Sequence, residues 1–174
     1  MPNTYTLISS VTVGAGGAAS IDFTSIPQTY TDLCLKLSAR NDASNVAGGV
    51  WIQFNGATTN LSSRLIYGYG SGVGSATSAS TLDSYDNANS STASTFGNAE
   101  FYIPNYAGSN NKSVSIDSVL ENNATEGRQM LTAGLWASTS AITSIKLLTF
   151  NNSNSAAANF VQYSTAYLYG VKNA

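Results

Sequence analysis

The 174-residue chain contains no histidine. That absence excludes every Ser-His-Asp or Cys-His triad, every imidazole zinc site and the commonest general base. Its one cysteine, Cys34, can close no intrachain disulfide and build no thiolate cluster, so stability is expected from packing and sheet hydrogen bonds. Charge is scarce as well. Seven Lys plus Arg stand against nine Asp plus Glu, 9% of the chain where about a quarter is usual, and the net charge is −2. No run of Lys or Arg offers a footprint to a phosphate backbone or an anionic lipid, so neither nucleic acid nor membrane is an expected partner. An apolar run of about 18 residues is missing, and residues 1–17 lack a basic leader, so nothing is expected to direct export or insertion.

What replaces charge is hydroxyl and amide: 26 Ser, 18 Thr and 18 Asn. The hydrophobic period is two, which marks strands with one face on a core. Leu33, Leu35 and Leu37 alternate with Asp32, Cys34 and Lys36, and the same alternation places Ile52, Phe54, Phe101, Ile103, Val114 and Ile116 inward. Leu147 joins them as an expected core residue. Further strands are predicted over 5–13, 19–23, 64–69, 129–136, 145–150 and 160–171, about ten in all. Turns rich in Gly, Pro, Asn and Ser separate them, two of which fall at 121–126 and 151–158. Short strands between such turns predict an all-β chain, an antiparallel β-sandwich of jelly-roll type, folded as one domain over 1–174.

Residues 70–95 break the rhythm. They are almost wholly Gly, Ser, Ala, Thr and Asn, with Leu82 and Tyr85 as large apolar side chains. The segment reads as an extended low-complexity loop, or as an arm that lies on a neighbouring subunit through those two anchors. On that reading, deleting residues 75–94 leaves the rest of the domain folded.

Few residues suggest chemistry. Glu100 and Asp117 sit on the polar faces of their strands, where solvated carboxylates are ordinary and no facing acid and base are implied. The acidic run from Asp83 through Asp86 to Asn89 lacks the glycine and terminal glutamate of an EF-hand, so no metal is expected there, and no cofactor elsewhere. Cys34 reads as an inert side chain. Asn-X-Ser/Thr triplets at Asn60, Asn89, Asn111, Asn123 and Asn151 are what chance supplies in so Asn- and Ser-rich a chain. Aromatic groups remain. Trp51 and Tyr102 fall on outward faces, the face of Trp136 is ambiguous, and Tyr163, Tyr167 and Tyr169 group with Val161 and Val171 as core. Trp51, Tyr102, Tyr106, Trp136, Leu82 and Tyr85 are therefore the candidate contacts to a protein partner or a glycan, with burial inside the same subunit as the alternative.

Several stretches together resemble small virion structural proteins of tailed phages, especially marine podoviruses and cyanophages. They are Ile26-Pro27-Gln28-Thr29-Tyr30-Thr31-Asp32-Leu33, Ile52-Gln53-Phe54-Asn55-Gly56, and Phe101-Tyr102-Ile103-Pro104-Asn105-Tyr106-Ala107-Gly108-Ser109. Glu121-Asn122-Asn123-Ala124-Thr125, Gly134-Leu135-Trp136, Ala141-Ile142-Thr143-Ser144 and Asn159-Phe160-Val161-Gln162-Tyr163-Ser164 continue the pattern. The resemblance implies a head decoration or cement protein, or else a tail-fibre or receptor-binding domain that recognises host glycans. It implies no catalytic residue. The expected place is the virion surface after synthesis in the bacterial host, with other virion proteins as partners and a closed ring of few copies, such as a trimer.

Overall fold

The computed structural model describes residues 4–123, 126–151 and 156–172, so the expected turns at 121–126 and 151–158 lie partly outside the described residues. Among the described residues there are twelve strands and no helix. They are β1 (Tyr5–Thr12), β2 (Ser20–Phe23), β3 (Asp32–Ala39), β4 (Ala47–Phe54), β5 (Leu61–Tyr69), β6 (Gly72–Ser78), β7 (Asp83–Asn87), β8 (Gly97–Ile103), β9 (Lys112–Glu121), β10 (Gly127–Trp136), β11 (Ile145–Asn151) and β12 (Thr165–Val171). All pairing between them is antiparallel, in an eight-stranded sheet of order β1-β12-β3-β8-β9-β10-β5-β6 and a four-stranded sheet of order β2-β11-β4-β7.

The alternation explains the layers. Leu33, Leu35, Leu37, Phe101, Ile103, Val114 and Ile116 from the large sheet meet Ile52, Phe54 and Leu147 from the small one in a single buried cluster. All ten expected core residues are there, because each strand carries one strongly apolar face and only one orientation removes it from water. The Phe54 and Trp136 rings lie 5.9 Å apart across this interior.

Two expectations need correction. Residues 70–95 are not a loop or arm: they hold β6, which ends the large sheet, and β7, which ends the small one. Their weak apolar signal is answered by neighbours. Tyr67 lies flat over Gly74, where a Cβ would come within 2.6 Å of the ring, so the hairpin partner supplies the bulk that β6 lacks. Leu82 is fully buried, and a Cβ on Gly134 would sit 2.7 Å from its Cδ2. The second correction concerns β12, whose inward residues are Ala166, Leu168 and Gly170; Tyr167 faces outward. Tyr163 is 67% exposed in the preceding turn, with φ 72°. Small inward groups suit β12 because the Tyr30 ring packs directly on Gly170.

Candidate functional site

The outer face of the large sheet, turned away from the small sheet, is open to solvent over β9, β10 and β5. Cross-strand register builds it in rows, since directly paired residues share a face. One row runs Lys36, Glu100, Asp117, Leu131, Ile66 and Ser75, and the next runs Cys34, Tyr102, Ser115, Ala133, Arg64 and Thr77. The face forms a groove of about 850 Å³ over β8, β9, β10, β5 and β6. Its far side is apolar and wet, with Ile66 59% and Leu131 54% exposed, and the same two residues border an adjoining depression with Val73, which is 90% exposed.

Charge sits at the near side. Lys36 Nζ meets Glu100 Oε2 at 2.6 Å, and this carboxylate raises the lysine's pKa, chiefly through the hydrogen bond. Asp117 is directly opposite Glu100, a like-charge pair that Lys36 offsets. A glycosidase sets two carboxyl groups on opposite sides of the scissile bond, whereas Glu100 is ion-paired to Lys36 and lies beside Asp117 on one sheet rather than across a cleft from it. Tyr102 closes the groove's end. Its hydroxyl donates to buried Asp32 Oδ2 at 2.5 Å, which pushes the phenol up to about 12, and Asp32 Oδ1 accepts the Asn105 N–H at 2.9 Å. Cys34, paired on one side with Tyr102 and on the other with Tyr169, is fully buried; burial first, then Glu100, pushes its thiol up to about 11. A thiol held neutral at physiological pH is a poor nucleophile.

The six candidate contacts do not converge. Tyr102 alone borders the groove. Trp51 is half-buried on the small sheet and stacks on Phe150 with centroids 4.4 Å apart. Tyr106, Trp136 and Leu82 are corrected to core residues of this same chain: Tyr106 donates its hydroxyl to the Pro27 carbonyl, Trp136 packs on Phe54, and Leu82 fills the space over Gly134. None has a free face for a partner. Tyr85 is half-buried, with the Arg128 guanidinium 5.4 Å from its ring centre. That guanidinium also lies 5.9 Å from the Tyr69 ring, which stacks on Tyr67, so a Tyr-Arg-Tyr-Tyr ladder braces the β5–β6 hairpin where the small sheet ends. Burial raises the Tyr85 pKa and Arg128 opposes the rise.

The residues missed from sequence are Ile66, Leu131 and Val73. A signal existed in β10, where Leu131 and Leu135 alternate with Met130 and Trp136, so both faces are apolar and one of them had to remain uncovered. Among the described residues no group of three or more His, Cys, Asp or Glu is arranged to hold a metal; Asp86 instead turns to Asn41 and Thr149. No protein-family model matches this chain, and no curated protein sequence matches it.

Proposed function

We propose that the chain is a non-enzymatic structural protein of a tailed-phage virion, a decoration or cement protein that joins neighbouring capsid subunits. The uncovered apolar side of the outer groove carries this reading. Ile66, Leu131 and Val73 in water are unfavourable on a monomer, and contiguous exposed apolar surface is what an assembly interface removes. The motifs that resemble phage virion proteins supply the kind of assembly. The order β1-β12-β3-β8 over β2-β11-β4-β7 supports a jelly-roll sandwich, because the links β1 to β2, β3 to β4, β7 to β8 and β11 to β12 each switch sheets. The β5–β6 and β9–β10 hairpins then widen one sheet beyond the roll, and it is this widened part that carries the groove.

Gold-labelled antibody on intact virions tests the proposal, with head label expected. Label confined to the tail supports the glycan-recognising fibre domain instead, and an unlabelled virion overturns the structural role. Glu100→Gln and Asp117→Asn should alter stability by less than about 1 kcal/mol, since exposed ion pairs contribute little. Polysaccharide hydrolysis by the purified protein that either change abolishes contradicts a non-enzymatic role.

A further inference from the structure

Four strands end a sheet among the described residues, and three of those ends are guarded. At β1 the register shifts between Leu7 and Ser9, a bulge that interrupts a flat edge. The edge at β2 is four residues long and carries Asp22, paired with Lys146 Nζ at 3.4 Å. At β7 three of the outward backbone groups are already taken: the Tyr85 N–H donates to Ser118 Oγ at 3.1 Å, the Asp83 carbonyl accepts Thr132 Oγ1 at 3.1 Å, and the Asn87 carbonyl accepts the Asn41 N–H at 2.8 Å. The fourth edge, β6, has none of these devices. Its seven residues pair with β5 in unbroken register, and no charged residue occurs anywhere from 65 to 82.

We infer that β6 is a dimerisation edge that pairs antiparallel with β6 of a second copy of this chain, joining the two large sheets into one. This surface is independent of which virion position the protein holds, or whether it holds one. The strand is self-complementary. A two-fold axis at Ser75 sets Gly72 opposite Ser78, Val73 opposite Thr77 and Gly74 opposite Ala76, all small or β-branched and none charged. Bulk is carried instead by Tyr67 and Tyr69, whose rings lie over Gly74 and Gly72 and stiffen the strand from one face. On the other face, Leu131, Ile66 and Ser75 occupy one row, so the same axis joins the exposed apolar residues of both copies into one stripe. Val73, nearly fully exposed, gains Thr77 of the second copy as its neighbour. A two-fold pair of this kind is closed and yields two copies rather than three.

Paired charges at the two symmetric Val73–Thr77 contacts give the test. The parent is expected to run as a dimer by light scattering at tens of micromolar. Val73→Lys with Thr77→Lys sets like charges opposite each other twice and should weaken the dimer at least about tenfold, while Val73→Lys with Thr77→Glu sets opposite charges there and should restore it. Circular dichroism on both variants checks that the domain is intact, which an exposed edge strand should permit. A parent that stays monomeric overturns the inference. So does equal dimerisation of the two variants, which would place the contact elsewhere.

Discussion

Between pH 4 and pH 8 the stability of the fold is expected to fall with rising pH, and Asp86→Asn is expected to remove a large part of that fall, Asp83 being a second carboxyl that burial raises. Asp86 is fully buried, and burial pushes its carboxyl from the ordinary value near 3.8 up to about 8. The Thr149 and Asn41 hydrogen bonds oppose that rise without cancelling it, and the neutral acid can keep them. Asn41 Nδ2 donates to Asp86 Oδ1 at 3.0 Å; a proton on Oδ2 can be given to Thr149 Oγ1, 3.2 Å away, whose own hydroxyl is then free to donate to the Gly49 carbonyl at 3.0 Å. With the carboxylate ionised, that single hydroxyl proton must serve both acceptors.

Burial raises Asp86, with no neighbouring charge contributing. The Arg40 guanidinium, beside β7, donates to the carbonyls of Asn89, Ser91, Thr92 and Thr95. Asp42 holds Asn159, and the Glu121 side chain accepts from the Asn123 N–H. The folded protein therefore keeps a proton that the unfolded chain releases near pH 3.8. Its contribution is fully present below that value and declines by about 1.4 kcal/mol per pH unit until the folded pKa near 8 is passed. Urea unfolding at unit steps of pH checks this, because the amide introduced by Asp86→Asn can donate to Thr149 and accept from Asn41 as the neutral acid does. Parallel curves for parent and variant would show that Asp86 is ionised in the fold.

Deletion of residues 75–94 is expected to abolish cooperative folding, the opposite of what an arm would do. The deletion removes most of β6, all of β7, buried Leu82 and Ala88, and three of the four backbone carbonyls that satisfy buried Arg40. Leu82→Ala alone should cost about 2–5 kcal/mol, since the space over Gly134 and Val114 cannot refill. Against a total of about 5–15 kcal/mol for an ordinary domain, losing a strand and a charge's partners together leaves no margin. Far-UV circular dichroism with thermal melting decides it; a deleted chain that melts cooperatively near the parent temperature would return the segment to the role of an appendage.

The all-β class and the interior were legible in the chain before any fold was known. The leucines at 33, 35 and 37 and the pairs Ile52/Phe54, Phe101/Ile103 and Val114/Ile116 each have a single apolar face, so a two-residue period leaves one orientation that hides it. Whatever depended on a neighbour was settled by the packing of the two sheets. β6 is a strand because Tyr67 and Tyr69 cover its glycines, and β7 is one because its edge groups meet Ser118, Thr132 and Asn41, distant in the chain. In β10 both faces are apolar, and the four-stranded sheet covers Trp136 while leaving Leu131 in water. The Tyr residues of β12 lost the interior to Ala166 and Leu168 because Tyr30 already occupied the room beside Gly170. A local pattern states which surface a strand would bury, but how much cover exists is set by which sheets meet and how wide each one is.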